Sequence, residues 1–298
     1  CLASQTETCR FDTVTSGTYF VMVLGYTAYT STTLVATYVA PHQGDGGTPG
    51  ANLSVHLSLG IPDDSRTDVA WSEHYLSVKP QYVISYNGSR KTPNWVSWEL
   101  NMAWLGDAPR KDSFRTDSSL PPEIPQARVS DYRNNDGGYD RGHMCPSHDR
   151  TATADDNAST FLLSNVVPQA SNLNQGPWAQ LENYEVTLAK AGKQLFIISG
   201  GLYDNPARTI GTGVAVPLST FRVTVVLDAP GQTAADVHET SRVIAVVIPN
   251  DDARVAATAD WKAFRTTVRD IEAQTGFNFL SDVAPNIQDA VETRVDND

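Results

Sequence analysis

Short runs rich in β-branched and aromatic residues recur along the chain, set apart by small polar residues, and they predict strands. Two lie near the start, at 17–26 and 32–39. A Gly- and Pro-rich stretch over 41–50 predicts a linker. Residues 52–57 alternate weakly. A strand is expected over 82–87, closing on an Asn87-Gly88 turn. Residues 95–101 alternate apolar and polar and predict its partner, with Trp95 and Trp98 in the sheet core. The Pro-rich stretch 120–131 reads as a surface loop, and 161–167 as a strand. Over 177–190, Trp178, Leu181, Glu185 and Leu188 recur at helical spacing. Pro177 suits a first helical position and Gly192 a stop. Further buried strands are predicted at 194–200, 221–227 and 242–248. A single amphipathic helix is predicted over 260–271, with Trp261, Phe264, Val268 and Ile271 on its apolar side. Residues 277–280 then close the core, and the acidic end at 296–298 is expected to fray. The pattern predicts an α+β fold, a central antiparallel sheet flanked by helices, with a small β segment over 1–40, a linker over 41–51 and the main domain over 52–298.

Composition changes this picture little. Of 298 residues, 40% are hydrophobic and 19% charged, enough to build a packed core. No apolar run approaches the length of about 18 residues that a membrane-spanning helix needs. The formal net charge of -12 argues against a protein that binds polyanions by bulk electrostatics. Basic residues at 110, 111, 115, 128, 133, 141 and 150 are interleaved with aspartates, so any basic groove must be local. Cys1 and Cys9 are close in sequence and far from Cys145, which predicts a Cys1–Cys9 disulfide, an extracytoplasmic location (secreted or periplasmic) and a free, buried Cys145. The first residue is Cys1, not Met, and the chain reads as a mature or trimmed product.

Candidate chemistry gathers in Asp140-Arg141-Gly142-His143. A histidine near neutrality can take a proton from water. A guanidinium offers a forked donor to phosphate oxygens. Glycine between them lets the backbone turn tightly and approach a ligand. By themselves these four residues are more often a buried salt bridge beside a structural histidine. Further on stand Ser164-Asn165-Val166-Val167-Pro168-Gln169, then Asn174-Gln175-Gly176-Pro177-Trp178 and Leu181-Glu182. Glu182 falls one turn beyond Trp178, on the same helical face.

With Pro93 to Leu100, these stretches resemble the DNA/RNA non-specific endonuclease family, whose site is a ββα-metal motif made of a strand hairpin and a helix. The likeness runs from about residue 51 to the end of the chain. It implies hydrolysis of phosphodiester bonds in DNA and RNA with little sequence preference, leaving 5′-phosphate ends, and no membrane partner. His143 would be the general base, neutral and with its other nitrogen held by an acceptor. Arg141 and an arginine from the 110–117 segment would face the phosphate; Arg110 is favoured over Arg115, though counting does not separate them. The metal would be Mg²⁺, with Mn²⁺ able to substitute. Asn174 would bind it directly and Glu182 through water. Asn165 would orient water or backbone, and Asp140 would fix Arg141 or the metal's waters. His148 stands where the family often has alanine and is read as incidental, and His56, His74 and His238 as structural or solvated. Activity is expected to fall below about pH 6.5, the ordinary histidine value. Residues 7–11 and 17–21 separately resemble the C-terminal half of a bacterial pre-peptidase C-terminal domain. Two other readings use the same residues: a nuclease-like nucleic-acid-binding module without catalysis, and a phosphodiesterase of small nucleotides.

Overall fold

The computed structural model describes residues 53–133 and 138–298. The strands expected at 17–26 and 32–39, the linker at 41–51 and the Cys1–Cys9 pair lie outside the described residues. Among the described residues, the strands in chain order are β1 (Tyr75–Val78), β2 (Val83–Asn87), β3 (Thr92–Leu100), β4 (Asp140–His143) and β5 (Val166–Gln169). They continue with β6 (Gln194–Leu202), β7 (Thr209–Ile210), β8 (Val214–Ala215), β9 (Ser219–Leu227) and β10 (Arg242–Pro249). Four helices of more than one turn accompany them: α1 (Ala154–Ser159), α2 (Ala179–Lys190), α3 (Val268–Thr275) and α4 (Pro285–Glu292).

One antiparallel sheet in the order β1-β2-β3-β6-β9-β10 organises the domain. Successive side chains on a strand point to opposite faces, and here both faces are covered. Trp98, Ile197 and Ile244 pack into one apolar cluster, and Trp95, Phe196 and Val223 into the other. Trp95 and Trp98 are both fully buried, on opposite sides of the sheet. The first cluster also takes in Met144, Trp178 and Leu181, so the segment between β3 and β6 lies on that face. This insertion carries β4, β5, α1 and α2. The first two pair with each other and apart from the main sheet.

Both edges of the sheet are partly capped. Arg66 bridges Tyr75 of β1, accepting from the Leu76 amide at 2.8 Å. On the far edge Arg265 bridges Val246 of β10, and the Thr266 amide donates to the Ala245 carbonyl at 2.9 Å.

Several expectations need correction. The turn expected at Asn87-Gly88 extends over 88–91, with Asn87 Oδ1 accepting from the Arg90 amide at 2.8 Å and Lys91 at positive φ. Residues 163–165 form a 3-10 turn, not a strand, and β5 begins only at Val166. The helix expected over 260–271 is two pieces: a 3-10 turn at Trp261–Phe264, then α3. Arg265 is drawn into the bridge to β10, and Thr267 starts afresh with a capping box to Asp270. Helix α4, which the apolar pattern did not bring out, packs Val291 into the second cluster. The acidic end is anchored: Asp296 accepts from Arg242 Nε at 2.8 Å and Nη2 at 2.9 Å.

Candidate active site

Period-two geometry on β4 sorts the Asp-Arg-Gly-His residues before any tertiary contact is considered. Arg141 and His143 fall on one face, Asp140 and Gly142 on the other. The motif is therefore a strand and not a turn, and it pairs antiparallel with β5, His143 opposite Val166 and Asp140 opposite Gln169. Gly142 has a role other than the one read from sequence. Gln169 is fully buried and folds across it, and a Cβ there would lie 1.9 Å from Gln169 Oε1. Glycine is what lets that side chain lie flat on the strand.

On the first face, two aromatic rings frame His143. Its ring centroid lies 5.1 Å from that of Phe114 and 5.0 Å from that of Phe161, the latter edge-on. The Arg141 guanidinium sits 4.2 Å from the Phe114 centroid, and that of Arg110 5.1 Å from the Phe161 centroid. Arg110 is further held by Ser147 Oγ at 2.7 Å and Asp112 at 3.0 Å. Arg115 is turned elsewhere, donating to the Ala158 carbonyl at 2.8 Å. The structure thus brings Arg110 and Arg141 to the histidine and ties Arg115 to backbone. Burial, then the charges of Arg110, His148 and Arg141, lowers the His143 pKa to about 3. The imidazole is neutral across the ordinary pH range, and its Nε2 is buried without a hydrogen-bond partner among the described residues.

Asp140, on the other face, does not fix Arg141. It accepts from Ser171 Oγ at 3.0 Å, Asn174 Nδ2 at 3.0 Å and Gln175 Nε2 at 2.8 Å. Asn174 opens an irregular helical stretch, Asn174–Trp178, that departs from helical dihedrals at Gly176 before α2 begins. Gly176 is pressed against the chain, since a Cβ there would meet the Ala257 carbonyl oxygen at 2.5 Å. Asn165 is fully buried and spends its amide on backbone: Oδ1 accepts from the Cys145 amide at 2.9 Å, and Nδ2 donates to the carbonyls of Cys145 and Thr160. It shapes the segment behind His143 and faces no open space for a substrate. Cys145 itself is free and buried, its thiol pushed up to about 12 by burial.

Glu182 is buried on α2, and its Oε1 accepts from Arg222 Nη2 at 3.3 Å. Burial pushes its carboxyl up, while Arg222 and His148 draw it back. His148 lies close by, its Nε2 3.6 Å from Oδ1 of the fully buried Asp149. Arg222, Glu185 and Asp149 went unread in the sequence as parts of this site. Their signal was present: Arg222 and Thr224 alternate within an otherwise apolar strand, and Glu185 falls on the apolar stripe of α2. His56 is structural, with Nε2 on the Pro80 carbonyl and Nδ1 accepting from the Glu99 amide.

No group of three or more His, Cys, Asp or Glu able to hold a metal occurs among the described residues. The donors present fit a hard cation that keeps most of its water. Asp140 holds the Asn174 amide by its nitrogen, which leaves Oδ1 as the atom open to a cation. Glu182 commits one oxygen to Arg222 and keeps the other.

Comparison with known proteins places this arrangement. The family model for DNA/RNA non-specific endonuclease matches residues 67–286. A nuclease of Nostoc sp. is 44% identical over 248 residues, which is 83% of this chain and 88% of that protein. Human mitochondrial endonuclease G is 30% identical over 225 residues, covering 71% of this chain and 70% of that one. In fold, the chain resembles a crystal structure of the EndoG/EndoGI complex with a TM-score of 0.63 at 23% identity, over 77% of this chain and 91% of the other. The strand pair, the helix and the matched sequence together show that this chain belongs to the DNA/RNA non-specific endonuclease family and is a nuclease with the ββα-metal fold.

Proposed function

We propose that this protein is a secreted, Mg²⁺-dependent endonuclease that hydrolyses DNA and RNA with little sequence preference, with His143 as its general base. The observation that carries this reading is the state of His143: buried, neutral, with an unpartnered Nε2 and two guanidiniums on the rings beside it. Such a nitrogen can take a proton from an attacking water as the P–O bond to the 3′-oxygen breaks, leaving a 5′-phosphate. Arg110 and Arg141 each keep donors free for phosphoryl oxygens, whose charge grows as water attacks. Asn174 and Glu182 would hold the cation, directly and through water respectively, and it would supply charge to the phosphoryl and leaving oxygens. Asp140 keeps the Asn174 amide from turning its nitrogen inward. Secretion rests on the sequence, through the Cys1 and Cys9 pair and the acidic composition.

Digestion of a supercoiled plasmid and of a structured RNA tests the proposal, with Mg²⁺, with EDTA, and with His143→Ala. Cleavage of both substrates is expected. It should be abolished by EDTA and reduced about 10²-fold to 10⁴-fold by the substitution. Binding without cleavage in Mg²⁺ or Mn²⁺ would point to a nucleic-acid-binding module. Neither binding nor cleavage would point to a small phosphodiester substrate.

A further inference from the structure

Beneath the candidate site lies an ionic group that the proposed chemistry does not use. Arg222, on β9 between β6 and the edge strand β10 of the main sheet, is fully buried. Its Nη1 donates to Glu185 Oε2 at 2.8 Å. Its Nη2 donates to the Met144 carbonyl at 3.0 Å and to Glu182 Oε1 at 3.3 Å. Trp178 and Trp98 lie against the guanidinium, their ring centroids 4.3 Å and 5.3 Å from its Cζ. Glu185 is held in turn by the Thr224 hydroxyl. Desolvation makes a buried pair of this kind a poor source of stability, because apolar residues of similar volume often do as well or better. Geometry is what it supplies. A planar guanidinium between two indoles presents its donors in fixed directions.

Those directions join the two halves of the site. Met144 follows His143 directly, and Glu182 lies on α2. At the other end of β4, Asp140 grips Asn174. Strand β4 and the segment that runs from Asn174 into α2 are thus fastened at two points, Asp140 to Asn174 and Met144 through Arg222 to Glu182.

We propose that Arg222, braced by Glu185, is a positioning residue that sets the distance between the general base and the metal-binding carboxylate. The proposal rests on the reading of Asn174 and Glu182 given above. Lysine at 222 would keep the charge but could not span three acceptors in one plane.

Mn²⁺ binding by calorimetry, in protein carrying His143→Ala so that no turnover intrudes, is the test. Three variants are compared: Arg222→Lys, the double change Arg222→Met with Glu185→Leu, and Glu185→Gln. The double change replaces the Arg222–Glu185 pair by apolar volume but leaves Glu182 and the Met144 carbonyl without their donor, so it is expected to lower the thermal midpoint. Arg222→Lys and the double change are expected to weaken Mn²⁺ binding about 10-fold or more. With His143 restored, they should lower kcat about 10²-fold while the KM for DNA changes little. Glu185→Gln keeps the side chain's size and is expected to weaken binding about 3-fold, by loosening the brace; it decides the matter if the other two do not fold. A folded variant of any of the three that binds Mn²⁺ like the parent overturns the proposal. Asn174→Ala and Glu182→Ala serve as controls. Should they also leave Mn²⁺ binding intact, the metal assignment fails; should they abolish it while the Arg222 variants do not, the positioning role alone fails.

Discussion

The imidazole of His143 is framed by two phenyl rings, with two guanidiniums at its rim, and this setting holds its pKa at about 3. The ordinary histidine value of about 6.5 had suggested an acid limb of activity near neutrality. The shift moves that limb down: kcat/KM is expected to stay level from about pH 8 to about pH 5. A pH–rate profile breaking at 6.5 would mean that another group controls the step. Stability follows the same shift. An unfolded chain takes up this proton near 6.5, the folded one only near 3. The stability that neutral His143 contributes is complete above about 6.5 and is lost as pH falls through that window. Urea unfolding of His143→Gln should accordingly show a shallower loss between those limits than the parent. Gly142 makes a second prediction at this scale. Alanine there must displace the buried Gln169, at a cost of about 1–3 kcal/mol, visible as a lower urea midpoint together with reduced activity. The motif residues were legible because chemistry constrains their types and spacing. Gln169's place over Gly142 was not, since it depends on which residues face each other across two strands.

Among the elements, strands with long apolar runs were the most readable: β6, β9 and β10 all contain the stretches their composition suggests. Misreadings fell where side chains compete with the backbone ladder. Asn165 takes three backbone partners and delays β5. Around 265 the apolar period of 3.6 continues, yet the chain leaves the helix to bridge β10 and restarts at Thr267. Local period alone cannot reveal a bridge to a strand some twenty residues earlier. Thr267 accepts from the Asp270 amide at 3.0 Å. Thr267→Ala should cost about 1 kcal/mol of stability, read by denaturant unfolding, and leave cleavage unchanged. The alternation of Arg222 and Thr224 in β9 was visible, but its meaning required knowing that α2 lies over that face.

For the whole molecule, the formal charge of -12 sets how nucleic acid can be held. Arg150, close to the motif in sequence, is fully buried and spent on the carbonyls of Gln81, Glu99 and Asp149. Arg110 and Arg141 keep exposed surface at the candidate site. With so few phosphate contacts, the affinity of His143→Ala protein for duplex DNA should fall with salt on a log–log slope of about −2 to −3, near 0.9 per neutralised phosphate. A slope beyond about −6, measured by fluorescence anisotropy, would require an extended basic track.

The caps on β1 and β10 bear on how this molecule can associate. Unpaired edge strands invite pairing with another chain, and here Arg66 occupies one edge while Arg265 and Thr266 occupy the other. At those positions the backbone groups that would zip to a second copy are already taken. Edge-to-edge pairing through those positions would first have to break these bridges, so holding the protein at high concentration is expected to leave its sheet unpaired with a second copy, a result that thioflavin fluorescence checks.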